Sequence, residues 1–119
     1  MALERIIAHK KAEVARLRAG AGDVDPPASD RSLEDALRKP RTGFILECKS
    51  ASPSAGRLVE DYDPVGLARS YAPFADAVSV LVDREFFGGQ PQHLRAVRRA
   101  IDQPVLWKDV IVDPIQIRR

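Results

Sequence analysis

Three charged residues lie within or directly after two apolar segments, where charge is costly unless it serves a site. Glu47 and Lys49 stand at the end of the run Phe44–Cys48, and Lys108 lies within the run Pro104–Val112. Side chains two residues apart in a β-strand project from the same face. We therefore expect Glu47 and Lys49 to point to one side, and both lysines to stand deep in an apolar frame.

Acid–base chemistry is one use for such charges. A lysine that is crowded by a second cation can have its pKa lowered and act as a general acid. The alternative is a structural ion pair of Glu47 with Lys49 or Lys108, although desolvation roughly cancels the attraction in such pairs. A single pair fits either interpretation, but three charges from two strands favour a catalytic site.

Two loops could add binding groups to this site. Residues 50–56 include Ser52 and Pro53 beside other small hydroxyl residues and a glycine, which suits an anion such as a phosphate or carboxylate. Residues 83–89 place two phenylalanines, the second of them Phe87, before two glycines. Those rings could anchor the loop, or they could form a wall for an aromatic substrate.

The composition is that of an ordinary globular protein. The chain has 119 residues, of which 45% are hydrophobic and 30% charged, with a formal charge of +2. That charge is too small to indicate a nucleic-acid or membrane partner. No apolar stretch approaches the roughly 20 residues of a membrane span, and the N-terminus lacks a signal-peptide core. We therefore expect a cytoplasmic protein. We also expect that the site uses no metal and no cofactor.

The single cysteine, Cys48, excludes an internal disulfide framework. It lies within an apolar run, where a free cysteine usually behaves as a small buried hydrophobe. A nucleophilic cysteine would need a nearby histidine, and His9 and His93 both fall in helix-like segments far along the chain. We therefore expect Cys48 to be structural.

Periodicity predicts the elements that must position these residues. An amphipathic helix is predicted over residues 2–18, ended by Gly20 and Gly22, and a capping box at Ser32 and Asp35 opens a short helix through Leu37. Strands are predicted at 44–48, 77–82 and 104–112. Helices are predicted from Asp63-Pro64 to before Pro73, over 92–101, and after Asp113-Pro114.

This alternation of strands and helices predicts a parallel sheet with right-handed crossovers. Three such strands leave two open edges, and the last helix stops barely a turn after Asp113-Pro114. A (β/α)₈ TIM barrel takes about 250 residues. We therefore interpret the chain as a helical extension, residues 1–40, followed by the first βα units of a truncated barrel, residues 41–119. A small complete α/β domain is the alternative.

Three segments, Phe44–Ser54, Asp83–Gly88 and Pro104–Pro114, together resemble indole-3-glycerol phosphate synthase of tryptophan biosynthesis. The specific features are the motif E-x-K-x-x-S-P-S, which begins at Glu47, and the downstream L-x-K-D, which contains Lys108. The N-terminal helix is similar to the extension that precedes the barrel in that family. The resemblance covers nearly the whole chain.

The resemblance implies a carboxy-lyase that converts 1-(2-carboxyphenylamino)-1-deoxyribulose 5-phosphate to indole-3-glycerol phosphate by ring closure, decarboxylation and dehydration. It implies that Lys108 is the general acid of ring closure and that Lys49 binds the substrate carboxylate and assists dehydration. Glu47 would orient the two lysines and act as their acid–base partner. Ser52, with Pro53 beside it, would line the phosphate or carboxylate side, and Phe87 would stack near the anthranilate ring.

The chain departs from the family pattern in two respects. Val110 stands where the family usually has phenylalanine, which thins the aromatic wall. The family's further catalytic glutamate, asparagine and arginine, and most of its phosphate cradle, belong to later strands that these residues do not include. We therefore expect the 119-residue chain alone to have no appreciable synthase activity.

Two other functions stay open at this point. The chain could be a non-catalytic barrel fragment that folds by pairing its open sheet edges with a second copy or with the remaining half. It could also be another phosphate-binding barrel enzyme of histidine or tryptophan biosynthesis, which the E-x-K-x-x-S-P-S motif disfavours.

Overall fold

The computed structural model describes residues 2–20 and 25–118, and the chain divides into two compact units. One unit takes residues 1–29 and 110–119, and the other takes residues 30–109. The predicted helix stop at Gly22 lies outside the described residues. The boundary between a helical extension, residues 1–40, and the barrel units, residues 41–119, stays a prediction.

The first unit contains helix α1 (Ala2–Gly20), which confirms the predicted amphipathic helix and extends it by two residues. Its buried stripe is Ile6, Lys10 and Val14, spaced four residues apart as one helix face requires. The middle of this stripe is a lysine whose side chain has no exposed surface. Its ammonium group lies 3.2 Å from the Glu13 carboxylate, and this contact offsets part of the cost of burying a charge.

The same unit ends in a short 3₁₀ helix (Pro114–Ile117), in place of the predicted start of an α-helix. Gln116 is fully buried, and its amide oxygen accepts the backbone N–H of Val112 at 2.7 Å and of Asp113 at 3.0 Å. Its amide nitrogen donates to the Val110 carbonyl at 3.0 Å. These bonds occupy backbone groups that a longer third strand would need, so the strand predicted to reach residue 112 is shorter.

The second unit holds the sheet and the helices that cover it. Its helices are α2 (Leu33–Leu37), α3 (Pro64–Tyr71) and α4 (Pro91–Ala100). The predicted N-caps are confirmed at α2 and α3: the Ser32 hydroxyl accepts the Asp35 N–H at 3.1 Å, and the Asp63 carboxylate accepts the Gly66 N–H at 3.0 Å. Proline is at the start of α3 and of α4, where a missing N–H costs nothing.

The strands of this unit are β1 (Ile45–Cys48), β2 (Ala51–Ser52), β3 (Gly56–Arg57), β4 (Ala77–Leu81) and β5 (Val105–Lys108). The main sheet has the order β1-β4-β5 with both pairs parallel, which confirms the three predicted strands and their direction. The antiparallel pair β2–β3 was not predicted. It folds residues 50–58 into a small hairpin at the carboxyl end of β1.

One face of the main sheet forms the core. Cys48, Val78 and Val80 have no exposed surface and pack with Ala68 of α3 and Val97 of α4. Cys48 therefore faces the helices, in agreement with the expected structural role of its side chain. Phe44 precedes β1 and is 51% exposed, so it is not part of this buried face.

The amino-terminal ends of β1 and β4 are tied together by the buried Asp76. Its carboxylate accepts the Phe44 N–H at 2.8 Å and the Arg41 guanidinium at 2.7 Å. The first of these bonds joins the residue before β1 to the residue before β4. It therefore helps to set the register in which Glu47 lies beside Ser79.

No helix in residues 2–20 or 25–118 combines the length and the apolar character needed to cross a bilayer.

Candidate active site

The sheet face opposite the core carries the predicted charges. Glu47 of β1 lies beside Ser79 of β4, and Lys108 of β5 lies beside Leu81 of β4. Alternation along the strands places these residues on the face away from Cys48 and Val80. Parallel strands end at the same edge, so Glu47, Lys49 and Lys108 all lie at or near the carboxyl ends.

Ion pairs join the three charges. The Lys108 Nζ lies 2.5 Å from Glu47 Oε1, and the Lys49 Nζ lies 3.4 Å from Glu47 Oε2. Each lysine therefore contacts a different oxygen of one carboxylate. The sequence placed these residues in one region, and the structure brings them into direct contact.

The two lysines are less buried than we expected. The Lys49 side chain is 33% exposed and that of Lys108 is 53% exposed, while that of Glu47 is 27% exposed. Ile45 and Leu106, on the same sheet face, are 44% and 39% exposed. In the described residues this sheet face is therefore accessible to solvent. The apolar surroundings that the sequence predicted for the two lysines enclose them only in part.

Opposing effects act on the Glu47 carboxylate. Its burial acts to raise its pKa, but hydrogen bonding and charge from Lys108, followed by those from Lys49, outweigh that effect. The net pKa of Glu47 is lowered from 4.5. The group is therefore an anion at neutral pH, suited to orient two ammonium groups toward a substrate.

The loop after β1 places Ser52 and Pro53 on the β2–β3 hairpin. The Ser52 hydroxyl accepts the Ala55 N–H at 3.1 Å and lies 3.5 Å from the Ser54 hydroxyl. Pro53 is exposed at the turn. The hydroxyls are therefore clustered on one tight turn, whose return strand begins at Gly56 with a positive φ of 67°.

The loop after β4 is organised by Asp83, which sequence reasoning missed. This carboxylate is 1% exposed and accepts the N–H groups of Phe86 at 2.6 Å and Phe87 at 3.2 Å. The backbone carbonyl of Asp83 accepts the Gly89 N–H at 2.7 Å. The available signal was an Asp three residues before the phenylalanine pair, a common spacing for side-chain bonds to the backbone of a turn.

Ser50 is the second residue that sequence reasoning missed. It is 3% exposed, and its hydroxyl lies 3.2 Å from the carbonyl oxygens of Phe87 and Gly88. It therefore joins the loop after β1 to the loop after β4. Phe87, the predicted aromatic wall, is half-buried on this second loop.

The thiol of Cys48 is not suited to nucleophilic chemistry. Burial, with a smaller contribution from the Glu47 charge, raises its pKa to about 11. Its sulfur lies 3.8 Å from the Pro64 carbonyl oxygen, on the core face. Residues 2–20 and 25–118 contain no group of three His, Cys, Asp or Glu side chains arranged to hold a metal ion.

Comparisons with known proteins identify a family and several proteins whose sequences are similar to this chain. A family profile described as indole-3-glycerol phosphate synthase matches residues 3–119. The chain is similar to the indole-3-glycerol phosphate synthase of Geobacillus kaustophilus, at 45% identity over 118 residues, 97% of this chain and 45% of that protein. The corresponding protein of Desulfotalea psychrophila is 40% identical over 124 residues, 98% of this chain and 48% of that protein.

A longer relative is the tryptophan biosynthesis protein TrpCF of Corynebacterium glutamicum. It is 43% identical over 120 residues, which are 97% of this chain and 25% of that protein. The chain thus spans between a quarter and about a half of the length of these relatives.

Proposed function

The chain belongs to the indole-3-glycerol phosphate synthase family, and on that premise we propose that it supplies the amino-terminal wall of a synthase active site. The reaction is the conversion of 1-(2-carboxyphenylamino)-1-deoxyribulose 5-phosphate to indole-3-glycerol phosphate in tryptophan biosynthesis. The observation that carries this proposal is the contact of Lys108 and Lys49 with the two oxygens of Glu47.

In the first step, the ring carbon that bears the carboxylate attacks the substrate's ketone carbon. Lys108 donates a proton to the ketone oxygen, which becomes a hydroxyl group instead of an unstabilised oxyanion. A general acid must reach the developing charge, and the 53% exposure of Lys108 leaves its ammonium group accessible. Glu47 holds that ammonium group in place before the substrate arrives.

The carboxylate then leaves as carbon dioxide, which restores the aromatic ring. The hydroxyl group takes a proton from Lys49 and leaves as water, and the neighbouring ring carbon gives up a proton to Glu47, which forms the double bond of the indole. Lys49 offsets the carboxylate charge during binding and assists the loss of water. Glu47 contacts both lysines, so it can keep the two acids at fixed positions around one substrate. Ser52 and Pro53 line the anionic side of the substrate, and Phe87 lies against the anthranilate ring.

A chimera tests the proposal directly. Residues 1–119 of this chain replace the matching part of the Geobacillus kaustophilus protein, which supplies the remaining strands. We expect the folded chimera to form indole-3-glycerol phosphate, measured by the appearance of the indole product. A chimera with native-like circular dichroism and no turnover would contradict the proposal. The 119-residue chain alone is the control, and we expect it to have no appreciable activity.

A second candidate function follows from the sheet edges. In the described residues β1 and β5 each pair on one side only, and Ile45 and Leu106 expose apolar surface beside them. We propose that the isolated chain associates through these edges with a second copy. Sedimentation velocity at several concentrations tests this: a monomer at all of them contradicts self-association.

For the full synthase we propose a cytoplasmic location, consistent with a biosynthetic role.

A further inference from the structure

The side chain of Ser50 lies at the junction of the two loops that border the candidate site. Its hydroxyl is 3.2 Å from the carbonyl oxygens of both Phe87 and Gly88, on the loop after β4. Its own carbonyl accepts the N–H of Leu58 at 2.7 Å, on the return of the hairpin after β1. One nearly buried residue, the immediate neighbour of Lys49, therefore bonds to both loops.

The loop after β4 is shaped to receive that hydroxyl. Gly88 has a positive φ of 68°, and a Cβ atom at this position would lie 2.4 Å from the Ser50 Oγ. A Cβ at Gly89 would lie 1.9 Å from the Leu81 carbonyl oxygen, so the loop returns directly against β4. Side chains at either position would push the loop away from its present place.

The Asp83 carboxylate fixes the other side of the same loop. It is almost fully buried and accepts the N–H groups of Phe86 and Phe87. The carbonyl of Phe87 faces the Ser50 hydroxyl, while its N–H donates to Asp83. Phe87 is thus held through both polar groups of its backbone, by residues that follow two different strands.

We propose that Ser50 and Asp83 are positioning residues that hold the Phe87 backbone against the residue that follows Lys49, and so determine how tightly the aromatic end of the substrate binds. This inference rests on the proposed function and deepens it. Neither residue is placed in contact with the reacting atoms. Both act through the backbone of Phe87, which connects the lysine end of the site to its aromatic wall.

The test uses Ser50→Ala in the chimera, with Ser70→Ala as the matched control. Ser70 is exposed on α3, and its hydroxyl donates to the Leu67 carbonyl of the same helix at 2.6 Å. Loss of the Ser50 hydroxyl at Phe87 and Gly88 should raise KM for the substrate by about tenfold and change kcat by less than about threefold. A purely structural defect would instead lower the active fraction, and therefore kcat, at unchanged KM.

Amide hydrogen exchange of the 119-residue chain supplies a readout that does not need turnover. In Ser50→Ala the amides of Phe86 and Phe87 should exchange about tenfold faster than in the parent, because their loop opens more often. The same amides should be unchanged in Ser70→Ala. Asp83→Asn, which keeps the shape of the side chain but removes its charge, should act in the same direction.

The outcomes separate this inference from the proposed function. If Ser50→Ala exchanges faster but keeps the KM of the active parent chimera, Ser50 does not position Phe87 for substrate binding. If exchange is unchanged in Ser50→Ala, the Ser50 hydroxyl does not hold the loop after β4 at all. If the parent chimera folds but is inactive, the proposed function fails and the role in substrate binding fails with it. Exchange then decides alone whether Ser50 holds the loop.

Discussion

The Lys108 Nζ lies 2.5 Å from Glu47 Oε1, although their strands, β5 and β1, are separated by β4. On β4, Ser79 is paired in register with Glu47 on one side and with Leu106 on the other, and Lys108 is paired with Leu81, two residues further along. Because Ser79 has a short side chain, the two long side chains can meet across the middle strand. The site therefore depends on a small residue that carries no charge.

Replacing Ser79 with leucine should separate this pair. Ser79 is 4% exposed, so a larger side chain must displace its in-register neighbours on the same face, Glu47 and Leu106, and Glu47 is one partner of the pair. We expect Ser79→Leu to lower kcat of the chimera at least tenfold, at a stability cost of about 1–3 kcal/mol. Ser79→Ala, which keeps the space open, should retain most of the activity. Equal activity in the two variants would show that the contact is not needed.

Removal of the Lys108 ammonium group should abolish acid catalysis without unfolding the protein. The side chain is 53% exposed, so Lys108→Met removes little core packing. We expect kcat of the chimera to fall by about 10²- to 10⁴-fold, the usual contribution of a general acid. Thermal unfolding of the variant should stay close to that of the parent. Lys11→Met, at an exposed position of α1, is the control, and a fully active Lys108→Met variant would refute the assignment.

The sequence was sufficient to predict the parallel sheet, because the residue patterns that specify its strands and helices are local. The apolar runs at β1, β4 and β5, and the Asp63-Pro64 start of α3, each specify an element within a few residues. The grouping of Glu47, Lys49 and Lys108 also followed from periodicity alone, since parallel strands end at one edge.

The parts that sequence reasoning missed depend on contacts between distant residues. Ser50 and Phe87 are 37 positions apart, and only the folded sheet brings the hydroxyl of one to the carbonyl of the other. The shorter third strand depends on the Gln116 side chain, which takes backbone groups that a strand would use. The burial of the two lysines was overestimated, because the sheet face that carries Lys108 is exposed to solvent in the described residues.

Asp76 should make stability depend on acid pH. The backbone N–H of Phe44 and then the Arg41 guanidinium hold the pKa of this carboxyl below its usual 3.8. A lowered folded-state pKa contributes stability that is fully present above about pH 3.8 and is lost as pH falls through the folded-state value. Asp76→Asn should therefore lower the melting temperature at pH 7, and its difference from the parent should shrink below pH 3.8.

Thermal melts of both proteins between about pH 7 and pH 3 provide the measurement. Asp102→Asn, at an exposed position in the turn after α4, serves as the control and should leave the pH profile unchanged. A parent–variant difference for Asp76→Asn that stays constant over the whole range would contradict the linkage.

The thiol of Cys48 should react only when the protein unfolds. It has no exposed surface, and burial, reinforced by the Glu47 charge, raises its pKa to about 11. At pH 8 only about one thiol in a thousand is then ionised, and the reagent cannot reach it without opening the core. We expect labelling by a disulfide reagent to be at least about a thousandfold slower in buffer than in concentrated denaturant. Rapid labelling at full native ellipticity would instead mean that β1 does not pack against α3 as described.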